Sequence, residues 1–282
     1  MPLDTLYNGA AYASARPLPP PLLHQWIKRI APSRSPRDRR LWDSGAGTGQ
    51  VTNALKSGFS HVVGTDINAS QIAQAKKAAG TTATGRRVKF HVAPSEKPKI
   101  RGTRNFDVVT GGTWYHWAHT PGRTIPAPAK KFLQHAKRLL KPDGIVAVWA
   151  YPTDPTTSYS AINAVIKKYG DVLRQPEYAY AEHKHVDNGY KDIFFPASKE
   201  IAAPPGLRMN ANMNLSDLVA YYSTQSAFIN MEKNDFRTAE KFIAGFQRDL
   251  EKVWDEPTRK LPFQWPVHVR AARARDLKLR AA

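Results

Sequence analysis

The sequence predicts an α/β fold, a mostly parallel sheet with helices on both faces. Three observations predict it. Strand-like and helical stretches alternate between residues 40 and 150, so that strand, helix and strand repeat five times. Such alternation implies parallel strands joined by right-handed crossovers. The first of these strands runs into a turn with glycine at alternate positions, Gly45, Gly47 and Gly49. The second ends in an acid, Asp66, 23 residues after Asp43.

The first strand and its turn read RLWDSGAGTGQ from Arg40 to Gln50, and Val51, Ala54 and Leu55 then share one helical face. A strand that leaves a glycine turn as a helix presents backbone N–H groups with no side chains in the way, which suits a nucleotide-like ligand. A dinucleotide fingerprint needs G-x-G-x-x-G. Gln50 stands where its third glycine would be, and the pattern present is D-x-G-x-G-x-G. In HVVGTD, His61–Asp66, the terminal acid can accept hydrogen bonds from both ribose hydroxyls. Equally, Asp66 could N-cap the next helix, a role open to Asn68 or Ser70 as well.

The other elements follow in order. Before the first strand, Leu22, Leu23, Trp26, Ile27 and Ile30 form one stripe of an amphipathic helix, entered through prolines. The arm ahead of it, residues 1–21, carries Tyr12 and Arg16 and is expected either to fold over the nucleotide pocket or to pack as a plain arm. Ser70–Ala79 is helical and Val88–Ala93 a strand, followed by Ser95 and Glu96 in a loop where an adenine could lie. Phe106–Thr110 is the fourth strand and leads into GGTWYHWAH, Gly111–His119. Helix Ala129–Leu140, a Pro-Asp-Gly turn and a fifth strand to Ala150 complete the repeat. Beyond it, Ser158–Tyr169 reads as a helix stopped by Gly170, Leu207–Met213 as a strand, and Leu215–Ile229 and Phe236–Trp254 as two helices. Leu261–Val269 alternates as a half-buried strand whose Pro262 and Pro266 imply a ragged start or an exposed edge. Ala271–Ala282 reads as a frayed or helical tail.

Composition narrows the function classes. A chain of 282 residues with 41% hydrophobic content can bury a full core. No run approaches the ~20 apolar residues of a membrane span, and the start lacks the regions of a signal peptide. Without cysteine there is no disulfide framework, thiolate nucleophile or cysteine metal site. A cytoplasmic location is the expectation. The net charge of +19 attracts anions, but the basic residues form no single long tract, only denser patches at Arg34–Arg40 and Arg270–Arg280. A solvated surface is favoured over dedicated nucleic-acid binding. His183, His185 and Asp187 alternate in a polar segment without a clear fourth ligand, so no metal is expected.

With these residues placed, the chain resembles class I S-adenosylmethionine-dependent methyltransferases of the type 11 group, and within it the eukaryotic trans-aconitate methyltransferase-like family. The stretches that carry the resemblance are YASARP (Tyr12–Pro17), WDSGAGTGQ (Trp42–Gln50), VVGTD (Val62–Asp66), the pair His116–Trp117, LKPDGIVAVWAY (Leu139–Tyr151), DNGYKDIFFP (Asp187–Pro196) and LSDLVAYYSTQSAF (Leu215–Phe228). The resemblance implies a Rossmann-like sheet of seven strands with the last antiparallel, in one domain over 1–282, with a cap at about 151–206. It implies S-adenosyl-L-methionine as cofactor, S-adenosyl-L-homocysteine as product, and a small-molecule substrate. The chain departs from the family at Ser44 and Ala46, in the Pro-rich stretch Pro121–Pro128 and in its basicity. Either a monomer or a homodimer is compatible.

The candidate cofactor residues are Tyr12, Arg16, Asp43, Gly45, Ala46, Gly47, Gly49, Asp66, Ile67, Ser95, Glu96 and Gly111. Trp114, Tyr115, Trp117 and Trp149 are candidates for the substrate pocket, since aromatic faces favour a cation such as a sulfonium. Some of these rings could equally be core. His116 is the candidate catalytic group, as a base or an orienting residue, or else a structural histidine. Nothing in the loop after the fourth strand matches the N/D-P-P-Y/F/W run of amino-methylating nucleic-acid enzymes. The expected reaction is O-methylation of a carboxylic acid, with Arg16 as a guide. The alternatives are O-methylation of a hydroxyl or phenol with His116 as base, and a basic nucleic-acid-associated binding protein on the same fold.

Overall fold

A computed structural model describes residues 14–32, 35–118 and 127–279. Six strands form the main sheet: β1 (Arg40–Ser44), β2 (His61–Asp66), β3 (Lys89–Val92), β4 (Phe106–Gly112), β5 (Leu140–Ala150) and β8 (His268–Arg273). Their order is β3-β2-β1-β4-β5-β8, with β8 alone antiparallel. The fold class is the expected Rossmann-like α/β one. Side chains at successive positions of a strand point to opposite faces. Leu41, Val108, Ile145 and Ala147 accordingly join one hydrophobic cluster, and Trp42, Val109, Val146 and Val148 the other. Helices α1 (Pro21–Ile30), α2 (Gln50–Leu55) and α3 (Ala69–Lys77) cover the first face, and α4 (Ala127–Leu139) the second.

The strand count needs correction. Six strands, not seven, make the main sheet, because β6 (Arg208–Met213) pairs with β7 (Leu261–Pro266) in a separate antiparallel ribbon. The single strand expected over Leu261–Val269 divides at Val267, where the chain passes from the ribbon to β8. Pro262 and Pro266 sit opposite Asn212 and Arg208. A two-stranded ribbon leaves each strand an outer edge, which tolerates a residue with no N–H. The expected tail is also corrected: Ala271–Arg273 belong to β8, and Leu277 bridges to Ala197.

Two helix boundaries differ as well. Gly170 does not stop its helix but lies inside α5 (Ser160–Leu173). The carboxylate of Asp154 packs where a Cβ would stand, only 2.2 Å from the ideal position, so this glycine permits close approach. After the short α6 (Lys184–Asp187), the helix expected over Leu215–Ile229 is two helices, α7 (Leu215–Ser223) and α8 (Ser226–Asn234). Helix α9 (Phe236–Glu251) follows. α5, α7, α8, α9 and the ribbon contribute to one cluster on the α1 side of the sheet. No helix among the described residues is long and apolar enough to cross a membrane.

Candidate active site

Two cavities meet above the carboxyl ends of the parallel strands. The first, about 390 Å³, lies over β1, β2 and β4, where the strand order reverses between β1 and β4 and a ligand crevice opens in such sheets. Gly45, Ala46, Gly47, Asp66, Ile67, Ser95, Glu96, Arg16, Trp114 and Trp117 line it. The second, about 450 Å³, lies under the segment after β5 and takes wall residues from α5, α6 and the α7–α8 junction. Arg16, Thr113, Trp117 and Tyr151 line both.

The glycine turn is shaped by contact as much as by conformation. Gly45 has φ +65°, and a Cβ there would stand 2.1 Å from the Trp114 ring, which closes over the turn. Gly49, at φ +81°, is the left-handed residue from which α2 starts. Gly47 donates its N–H to Asp66 Oδ2 at 2.9 Å, and Asn68 donates to Oδ1 at 2.8 Å. Asp66 does not cap α3: Asn68 does, accepting from the Gln71 N–H. Burial raises the pKa of Asp66, opposed by backbone N–H donors from Asn68, Gly47 and Ile67. Each carboxylate oxygen retains acceptor capacity beyond one backbone bond.

Two buried donors in this wall, Asn68 Nδ2 and Trp114 Nε1, have no partner. A ligand rich in acceptors, such as a nucleoside with a charged tail, would satisfy them. The open glycine turn, the acid at the end of β2 and these donors together fit the methyl-donor nucleoside implied by the sequence.

Other expected residues stand elsewhere. Asp43 is buried beneath the turn and lines neither cavity. It accepts from Thr52 Oγ1 at 2.5 Å and Thr110 Oγ1 at 2.8 Å, tying β1 to α2 and β4. Burial pushes its pKa up to about 6 against those two hydrogen bonds. Gly49 and Gly111 lie behind the wall, and Gly112 and Thr113 face the cavity instead. Tyr115 is core: its hydroxyl donates to the Phe194 carbonyl and its ring packs on Phe132. Trp149 is core too, against Gly112, and lines neither cavity. Tyr12 and most of the arm lie outside the described residues.

The second cavity holds His116, whose Nδ1 lies 3.1 Å from the Tyr190 hydroxyl. The backbone N–H of His116 also reaches that phenol oxygen, while burial drives the Tyr190 pKa upward. Trp117 packs its ring against His116, His183 and Tyr180. His183 Nε2 pairs with Ser226 Oγ at 3.0 Å, and its pKa is lowered to about 4, first by burial and then by Arg16. His185 turns to Asp192, so it does not converge with His183 on a common centre. Arg16 is held by Thr224, donating from Nε to Oγ1 at 3.0 Å and from Nη2 to the carbonyl at 2.8 Å, over the Tyr221 ring.

Sequence reasoning missed Thr113, Tyr151 and Gln225, and read His183 only as part of a polar segment, whereas it lines the second cavity. Thr113 (φ +60°) and Tyr190 (φ +62°) hold left-handed backbones at a cost of order 1–3 kcal/mol each, a kind of strain that gathers at working sites. Gln225 is 2% exposed in the second cavity wall. Its Nε2 faces the Thr153 carbonyl, 3.4 Å away, which fixes the amide orientation and leaves Oε1 without a partner. For Gln225 no periodicity or motif would have served as a signal.

A family profile described as a methyltransferase domain matches residues 42–148. A Dictyostelium discoideum protein with a provisional methyltransferase name is 26% identical over 227 residues, covering 80% of this chain and 79% of that protein. Among solved structures, one described provisionally as a type II methyltransferase from Anaeromyxobacter dehalogenans superposes with a TM-score of 0.73. It is 25% identical and covers 92% of this chain and 98% of its own.

Proposed function

Taking as premise that the chain is a class I S-adenosylmethionine-dependent methyltransferase, we propose that it methylates a small carboxylic acid on oxygen. On this reading the finer kinship is with the trans-aconitate methyltransferase-like group, and 1–282 works as one domain with a cap over the acceptor. When bound, the cofactor supplies a methyl group activated on a sulfonium. The turn Gly45–Gly49, with Asp66, Ile67, Ser95 and Glu96, holds its nucleoside, and Trp114 and Trp117 flank its charged end.

The observation that carries the acceptor assignment is Arg16. Its guanidinium is fixed at the seam of the two cavities, where donor and acceptor must meet. Arg16, Arg174 and Lys184 line the second cavity with one carboxylate, Asp187, and since Arg174 is already paired with Asp154 and Asp171, Arg16 and Lys184 supply the positive charge for an anion. Burial keeps His183 neutral at pH 7. A carboxylate is already ionised there and needs orientation, not deprotonation. Alignment alone is worth effective molarities of ~10⁵ M or more.

His116 serves this reading as an orienting donor. His116 Nδ1 shares a hydrogen bond of 3.1 Å with the Tyr190 hydroxyl, which holds the ring at the cavity wall; with the phenol as donor, the imidazole carries its own hydrogen on Nε2. Gln225 Oε1 adds a fixed acceptor, suited to a hydroxyl or N–H elsewhere on the substrate.

The test compares wild type with His116→Asn across pH 5.5–8.5. The carboxylate reading expects turnover within about tenfold of wild type and no inflection near the histidine pKa of ~6.5. A rate that follows one group near pH 6–7 and is abolished in the variant would favour a hydroxyl or phenol acceptor with His116 as base.

A further inference from the structure

Charge is unevenly distributed along this chain. Residues 1–106 hold 17 Lys and Arg against five Asp and Glu, so +12 of the net +19 falls there. Between Asp43 and Glu96 the only carboxylate is Asp66, which is bonded to backbone N–H groups in the first cavity. The ion pairs formed between described residues take the opposite distribution, drawing their cations from Lys141 onward. The side-chain nitrogens of Arg40, Lys76, Arg86, Arg87, Lys89 and Lys99 have no carboxylate within 4.0 Å among the described residues, although the backbone N–H of Arg40 donates to the buried Asp107 Oδ2 at 2.9 Å.

These six lie together, and all are exposed. Arg40 opens β1 in register with His61, which opens β2, and Lys89 opens the outermost strand, β3, beside Val63. Arg86 reaches the His61 ring at 3.0 Å, and Arg87 bonds the Lys76 carbonyl at the end of α3. The grouping registers on two histidines. After burial, Arg86, Arg40 and Lys89 lower the His61 pKa, and Lys76, Lys89 and Lys99 that of His91. Neighbouring strands are ~4.8 Å apart and Lys89 pairs two residues further along β2 than Arg40 does, so the two lie about 12 Å apart. That is about one and a half Debye lengths at physiological salt, so their fields overlap in part there and more fully at low salt.

We propose that this basic pole is a second binding site, which takes the phosphodiester backbone of a nucleic acid without reading its sequence. Arginine forks such as Arg86 and Arg87 match phosphate oxygens, and each phosphate neutralised releases condensed counterions. An anionic bilayer fits less well, because surface docking there gains from apolar side chains buried in the interface. Among the described residues, the only exposed large apolar side chain on β3 is Val92, at the strand's other end. The pole runs from the amino ends of β1 and β2 to the edge strand β3, whereas the cavities open at the carboxyl ends. A bound strand therefore leaves the cavities open, and tethering is separable from methyl transfer.

Fluorescence anisotropy tests this with a labelled 20-nucleotide oligouridine and a labelled 20-base-pair DNA duplex at 50–200 mM KCl. Three proteins are compared: wild type, R86Q/R87Q/K89Q, and R237Q/K241Q/R248Q, which removes equal charge from α9. Wild type should bind at least one polymer, with affinity falling steeply as salt rises. The first variant should lose about tenfold or more, with its log–log salt slope reduced by about 2–3, and the second variant less than about threefold. Homocysteine-cofactor binding and thermal melting should be unchanged in both. If the first variant melts early, K76Q/K99Q, on other elements, must reproduce the loss. No binding by wild type at 50 mM, equal losses in both variants, or capture of phosphatidylserine vesicles without either polymer would overturn the proposal.

Discussion

Asp43, one residue before the end of β1, and Asp66, the last residue of β2, stand on adjacent parallel strands, yet only Asp66 faces a cavity. Asp43 is spent on Thr52 and Thr110, holding the strand end under the glycine turn. Its pKa, raised to about 6 by burial, carries a pH signature. The folded protein retains a proton that the unfolded chain loses near pH 4, so this group's contribution is present at low pH and lost as pH rises through about 6. His24 and His183, both lowered to about 4, slope the opposite way over the same window, because folding disfavours their protonation. The difference between Asp43→Asn and wild type isolates the carboxylate. Urea unfolding at pH 4.5, 5.5 and 7 should show the variant gaining on wild type by up to about 1.4 kcal/mol per pH unit below pH 6. A difference independent of pH would mean that Asp43 is not desolvated.

At the scale of elements, the α7–α8 junction decides how the second cavity is furnished. Asn214 caps α7 in a reciprocal box with Asp217, and the helix ends where Thr224 bonds the Tyr221 carbonyl. That same threonine holds Arg16, and the next residue is Gln225. Asn214→Ala should cost about 1 kcal/mol in urea unfolding. A loss below about 0.3 kcal/mol would show the box to be unimportant. The break was not legible in the sequence, because the apolar pattern continues through it and Arg16 lies 208 residues away. The glycine turn was legible for the opposite reason: its determinants are local, a left-handed backbone and a strand end. The ribbon β6–β7 was missed in the same way as the junction, since its pairing joins segments some 50 residues apart.

On the scale of the whole molecule, the sheet separates three surfaces: the crevice over the glycine turn, the second cavity beside it, and a basic pole towards the other end of the strands. The fold class could be read from alternation and motif, whereas the strand order could not. The cavities could be read only in part, because Trp114 and Trp117 face them while Tyr115 and Trp149, of equal aromatic promise, fill the core. For Trp114–Trp117 no register fixes which way a ring points, since they lie in a loop, whereas Trp149 sits in β5 opposite Gly112, where the pairing turns it into the core. The central claim is that the two cavities bring a methyl donor and a small carboxylate together at Arg16. The direct measurement is transfer of a labelled methyl group to a panel of small carboxylic acids and matched alcohols, phenols and amines, followed by mild alkali. The account predicts label on acids only, released by alkali as volatile methanol from a methyl ester. Alkali-stable label on a phenol, alcohol or amine, with none on any acid, would contradict it.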